Sequence, residues 1–110
     1  MEHWDLRSLE VEPHRPRILH SSRGEARSIA IRLPAGEELQ EHQVHERAYL
    51  VVVDGTVELS GPGGETATGT AGTLAVFDPH ERHRVRAASD ALLLLVLAPW
   101  PGDGHPGARD

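Results

Sequence analysis

Apolar residues recur at every second position through most of this chain, and that period predicts strands rather than helices. Residues 28–33 (SIAIRL) alternate, with Ile29, Ile31 and Leu33 on one face. Residues 34–36 (PAG) then turn the chain. Residues 48–53 (AYLVVV) form a strongly β-forming run, and Asp54-Gly55 behind it is a strong hairpin-turn pair. The chain returns through residues 56–60 (TVELS), with Val57 and Leu59 inward, and turns again at residues 61–64 (GPGG). Residues 65–70 read as a weak, polar strand. A second cycle opens at Gly72: a strand at 73–77, a loop at 78–81, a strand at 82–87, a turn near Ser89-Asp90 and a strand at 91–98. In the strand at 82–87, His83, Val85 and Ala87 face inward, while Arg82, Arg84 and Arg86 face out. The best helical candidate, residues 36–47, is short and runs straight into a strand; its Glu-rich start suits one turn. Many short strands divided by glycine turns, in two similar cycles, predict an all-β double-sheet barrel.

The ends read differently. Residues 1–27 form an N-terminal arm and first strand, with Trp4, Leu6, Leu9 and Val11 available to pack and Ile18-Leu19 opening the strand. Residues 28–99 form the barrel. Residues 100–110 (WPGDGHPGARD) lack apolar material beyond Trp100 and predict a flexible tail, with Trp100 a candidate anchor. Residues 92–97 (LLLLVL) are apolar on both strand faces. A barrel buries only one face, so the other must meet the arm or a partner chain, and a homodimer is expected.

Composition narrows the function. A chain of 110 residues holds one domain with one modest core. It has no cysteine, which excludes disulfides, thiolate metal sites and a thiol nucleophile, and fits a reducing compartment. No apolar stretch approaches the roughly 20 residues that cross a bilayer, and the start (MEHWDLRSLEVEP) does not read as a signal peptide. A cytoplasmic protein without a membrane partner is expected. A net charge of -6 disfavours nucleic acid, although Arg82, Arg84 and Arg86 make a local basic stripe. That stripe reads as a solvated face, or more sharply as an anion site or a set of dimer salt links. All 11 cationic side chains are arginine, so lysine Schiff-base catalysis is excluded. No glycine loop has the context to cradle phosphate, and no serine sits in a nucleophile elbow.

The chemistry concentrates in two histidine-bearing segments, residues 36–55 (GEELQEHQVHERAYLVVVDG) and 72–85 (GTLAVFDPHERHRV). Each follows a glycine turn and adjoins a β-forming run. These segments resemble the two motifs of the cupin superfamily, in particular the small single-domain, RmlC-like members. In the first, Gly36, His42 and Gly55 fall on the motif glycine, first histidine and closing glycine. In the second, Gly72 and His83 match, while Asp78 and His80 replace the motif proline and glycine. The resemblance covers roughly residues 28–98. It implies a jelly-roll barrel, or double-stranded β-helix, and in metal-bearing members a site of three histidines and one glutamate. Here the first motif is degenerate: Val44 stands at the second histidine and Ala48 at the glutamate.

Two functional readings follow. The first is a module that binds a small organic molecule in the barrel, lined by His42, Val44, Ala48 and His83. The two substitutions make its floor more apolar, and the imidazoles orient the ligand or act as acid and base. The alternative is a metal-dependent enzyme of oxygenase or isomerase type, with a rearranged divalent site drawn from His42, His45, Glu46 and His83. Its cofactor would be one ion of iron, manganese, nickel, copper or zinc. Strand register decides between candidates: in continuous register Glu46 shares the face of His42, Val44 and Ala48 while His45 points away, whereas a bulge at Gln43-Val44 turns His45 inward. The plainer readings are that His42 and His83 are satisfied barrel histidines, that Glu46 is solvated, and that His80 is a surface loop residue. Tyr49 is expected to face out, Phe77 to pack in the core or an interface, Asp78 to cap its turn, and Arg47 to pair with a nearby acid.

Overall fold

A computed structural model describes residues 1–42 and 45–100, the side chains of residues 40–42 excepted. The chain is all-β, and the period-two pattern is the reason. Among the described residues the strands are β1 (Arg17–Ser22), β2 (Ala26–Leu33), β3 (Glu38–His42), β4 (Arg47–Asp54), β5 (Val57–Ser60), β6 (Thr66–Gly69), β7 (Leu74–Phe77), β8 (His83–Ala87) and β9 (Ala91–Ala98). The segment that offered the best helical candidate is β3, entered from a turn at residues 34–37. The described helical structure is a single 3-10 turn at Leu6–Ser8, and no described helix is long and apolar enough to cross a membrane.

The strands form two sheets, one ordered β1-β2-β9-β4-β7 and one β3-β8-β5-β6. Their inner faces bury one core. β4 alternates Ala48, Leu50 and Val52 into it, β5 adds Val57 and Leu59, β8 adds Val85 and Ala87, and β9 adds Ala91, Leu93 and Leu97. The inward-outward assignment made for β8 therefore holds, since Arg82, Arg84 and Arg86 are exposed.

β9 lies between β2 and β4 at the centre of the larger sheet, which explains its two apolar faces. Leu93 is fully buried inside, at 0% exposure. On the outside Leu92 packs with Ala30 and Val11, and Leu9, Leu19 and Val53 join them. The N-terminal arm thus covers part of the outer face. Farther along, Leu94 and Val96 remain half-buried. Register sets Tyr49 beside Val96 and Val76, and Val51 beside Leu94 and Leu74. Tyr49 therefore faces out as expected, and Leu74 and Val76 are 58% and 46% exposed. The barrel's C-terminal boundary is tied down by Trp100, whose N–H donates to the Glu25 carbonyl at 3.0 Å and whose ring lies 4.1 Å beneath the Arg27 guanidinium. Residues 101–110 lie outside the described residues.

One end of the barrel is laced shut. Gly36 N–H donates to the Ala87 carbonyl and Ala87 N–H to the Glu37 carbonyl, both at 2.8 Å. Asp90 Oδ1 accepts from Ala35 N–H at 2.8 Å, and Ser89 Oγ accepts from Thr56 N–H at 3.0 Å. Gly55 is indispensable here: its φ is +86°, and a Cβ at that position would lie 2.1 Å from the Asp90 carbonyl oxygen. The opposite end gathers the ends of β3, β5 and β7 and the starts of β4 and β8.

Candidate functional site

The open end is assembled by register. β4 enters with Ala48 opposite Phe77 of β7 and Leu97 of β9, while His42 of β3 pairs with His83 of β8. Both halves of the two-motif pattern therefore arrive at one end of the barrel. His42 stands in β3, but its side chain lies outside the described residues, as does Val44 altogether. A register irregularity falls between Leu39 and His42.

For Glu46 the sequence left two readings open, pocket and solvated face, according to register. It precedes β4 with the parity of Ala48, and it is 2% exposed, with both carboxylate oxygens shielded from solvent. The ordinary expectation for glutamate at a strand approach is solvation. A buried carboxylate is stable only with a compensating charge or hydrogen-bond donor. His45, one residue earlier, is exposed. The structure thus places Glu46 inside and His45 outside, as continuous parity with Ala48 requires. Ala48 itself is buried at 1% exposure and forms part of the core beneath Glu46.

His83 is half-buried and held on two sides. Its ring stacks on Phe77, with centroids 3.9 Å apart and planes 6° from parallel. Its Nδ1 lies 3.2 Å from the Glu81 carbonyl oxygen. A carbonyl only accepts, so Nδ1 carries the proton, and in the neutral ring Nε2 is the lone-pair nitrogen. Phe77 was expected only as packing. Its role as the platform for His83 follows from the pairing of β7 with β4, which local sequence does not express.

The loop between β7 and β8 is held by hydrogen bonds of its own. Glu81 N–H donates to the Asp78 carbonyl at 3.1 Å, and the Glu81 carboxylate accepts from Asp78 N–H at 2.8 Å. The turn cap is therefore Glu81 rather than Asp78. The Asp78 carboxylate is committed elsewhere, to the Arg47 guanidinium, because strand pairing brings the start of β4 beside the end of β7. His80 adopts a left-handed backbone at φ +66° and sets its ring edge-on to His45, with centroids 4.6 Å apart. These two exposed imidazoles form an edge-to-face pair.

Two clefts open beside the strand ends. One of about 330 Å³ is lined by Ser60, Gly61, Pro62, Arg82, His83 and Arg84. The other, about 200 Å³, reaches Phe77 and Glu81 from the side of β5 and β6. Among the described residues no group of three histidine, aspartate or glutamate side chains could hold a metal ion. The described donors on the inward face are Glu46 and His83. Imidazole and carboxylate donors suit divalent iron, manganese, nickel or zinc.

A family model described as "Cupin domain" matches residues 30–98. Solved structures give the same answer for the fold. An RmlC-like cupin protein from Desulfovibrio desulfuricans is 24% identical, with 90% of this chain and 97% of that chain covered and a TM-score of 0.78. A conserved protein with a double-stranded β-helix domain from Klebsiella pneumoniae is 16% identical, with 90% of each chain covered and a TM-score of 0.75. A protein of unknown function from Streptococcus pyogenes is 23% identical, covering 88% of this chain and 89% of that one, at a TM-score of 0.73. No curated protein matches.

Proposed function

The chain belongs to the cupin family, and from that premise we propose that it binds a small organic molecule at the open end of its barrel. The observation that carries this reading is His83: half-buried, stacked on Phe77, and held by the Glu81 carbonyl at the open end of the barrel. Ala48 belongs to the buried core of the barrel, and His42 of β3 pairs with His83 of β8. A pocket with an apolar floor and one or two oriented polar groups is the usual form of a small-ligand site.

A second reading is favoured by Glu46. Glu46, buried to 2% exposure on the face of Ala48, and His83 are a carboxylate and an imidazole, the donor types that, with His42, would suit a divalent metal. When bound, such an ion acts as a Lewis acid toward a ligand oxygen. His45, exposed and paired with His80, has the weaker claim to that set.

One experiment separates the two. Tag-free protein is assayed for metal by elemental analysis, then again after exposure to iron, manganese, nickel, copper and zinc. The ligand-binding reading expects little tightly held metal, with thermal stabilisation by a cognate small molecule of about 2.7 kcal/mol at a hundredfold excess over Kd. About one metal per chain, lost in both Glu46→Gln and His83→Ala, would establish the metal centre instead.

We also propose that the protein is a homodimer joined through the outer face of the larger sheet. Tyr49, Val51, Leu74, Val76, Leu94 and Val96 lie there in two cross-strand rows without a charged side chain among them. A face of that kind offers nothing for a charged partner and matches a second copy of itself across a two-fold axis. Light scattering after size exclusion should give a dimer for the wild type and a folded monomer for Leu74→Arg combined with Val76→Arg. A monomeric wild type at high micromolar concentration would sink the proposal.

A further inference from the structure

A sheet edge is a row of unpaired backbone groups, and most edges in folded proteins carry a device that keeps other strands away. Among the described residues the edge strands are β1 and β7 in the larger sheet and β3 and β6 in the smaller. β1 carries the exposed Arg17 and a register shift between Ile18 and His20. β3 carries Glu38, bound to Arg84, and a register shift between Leu39 and His42. β6 is polar, with Thr66 and Thr68 exposed and Gly69 at its end. β7 has none of these devices. Its sequence is Leu-Ala-Val-Phe, its register with β4 runs unshifted from Leu74 to Phe77, and both Leu74 and Val76 are exposed.

The first contacts of β7 with β4 fix where its backbone groups point. Gly72 N–H donates to the Val52 carbonyl at 2.7 Å, and Val52 N–H donates to the Thr73 carbonyl at 2.9 Å. Antiparallel ladders alternate, so Ala75 and Phe77 also turn their N–H and C=O groups toward β4. Those of Leu74 and Val76 point the other way, off the edge of the sheet. A second β7, antiparallel and related by a two-fold axis at Ala75, meets them in register. Leu74 of each copy then lies opposite Val76 of the other, and each such pair exchanges both backbone hydrogen bonds. Side chains agree with the backbone, because apolar meets apolar and β7 holds no charged residue. On the outer face, the rows Leu94–Val51–Leu74 and Val96–Tyr49–Val76 continue across the axis, each into the other row of the second copy.

We propose that β7 is a docking edge for the β7 of a second copy of this chain, joining two larger sheets into one continuous sheet. The occupant is a second copy because the register that satisfies these backbone groups also sets the edge's own apolar residues against each other. This interface differs from the face-to-face contact proposed above: it uses backbone groups at the rim of the sheet, and either contact forms without the other. A few hydrogen bonds along a short strand make a weak contact, so the association depends on concentration.

Sedimentation velocity of the full chain, from about ten micromolar to about one millimolar, tests it. Val76→Pro removes the N–H at the free edge and leaves the bonds of Ala75 and Phe77 to β4 in place. At the highest concentration its mass should be half that of the wild type, with an unchanged circular dichroism spectrum. Val51→Arg, in the middle of the outer face and away from the edge, removes the face contact alone. Its mass should rise with concentration from one chain to two. Combined with Val51→Arg, either Val76→Pro or Leu74→Lys should hold a folded monomer throughout; the lysine leaves every backbone group in place and guards the edge by charge. A wild type whose mass doubles on concentration from one chain to two, and a Val51→Arg variant that matches it, would sink the face and leave the edge standing. Equal masses for the wild type and Val76→Pro at the highest concentration, or a Val51→Arg variant that stays monomeric, would overturn the edge.

Discussion

At one end of this barrel, backbone groups of residues 35–37, 55–56 and 87–90 bind one another directly or through the short side chains of Ser89 and Asp90. At the other end stand His45, His80 and His83, the buried Glu46 and the cleft lined by Arg82 and Arg84. The closed end spends its polar groups on itself. The open end holds polar side chains in an apolar setting, fixed from behind by Phe77, the Glu81 carbonyl and the ion pairs Arg47–Asp78 and Arg84–Glu38. Stability and binding are therefore expected to separate along the barrel axis, because residues optimised to receive a ligand are not optimised for the empty fold.

The sharpest way to break that division is Gly55→Ala. Its new Cβ would meet backbone atoms of Asp90 and Ala91 at 2.1–2.9 Å, at a φ that disfavours any side chain. The expected loss is about 3 kcal/mol or more in chemical denaturation, from forced displacement added to backbone strain. A variant as stable as the wild type would mean that the laced end yields easily.

Glu46→Gln probes the open end with nearly the same volume. Stability should move by no more than about 1–2 kcal/mol, because the amide keeps hydrogen-bonding capacity where the charge is removed. Ligand or metal uptake, by contrast, should fall by at least tenfold in calorimetry. Comparable losses at Gly55 and Glu46 in the denaturation experiment would erase the contrast between the ends.

The smallest effect is expected from Arg47→Ala. Its pair with Asp78 is largely solvent-exposed, at 42% and 72% of the two side chains, so less than about 1 kcal/mol should be lost, and less still in high salt. A larger and salt-insensitive loss in thermal melts would show that the rim pair organises the mouth.

Much of the fold was legible in the chain. Alternation in residues 28–33 and 82–87, the Asp54-Gly55 turn and the apolar run at 91–98 each correspond to elements found within a residue or two. The spacing of Gly36, His42, Gly55, Gly72 and His83 pointed to the family whose model matches the chain. The site was less legible. Glutamate at position 46 carries no local signal of burial, and only its parity with Ala48 distinguished it from His45. Likewise, nothing near Phe77 announces a histidine stacked on it, and nothing near Ser60 or Pro62 announces an arginine-walled cleft.

What the sequence determined by itself was the set of strands and the face each one turns inward, because a period of two is written locally and survives any arrangement of neighbours. It also determined that β9 needed cover on both sides. Which elements provide that cover, and which polar groups meet at the open end, depended on pairings between residues far apart in the chain: Ala48 with Phe77, His42 with His83, Ser60 with Arg84. Those contacts exist only once the two sheets have closed on a common core, so the tertiary structure alone decided that Glu46 and His83 lie at the same mouth.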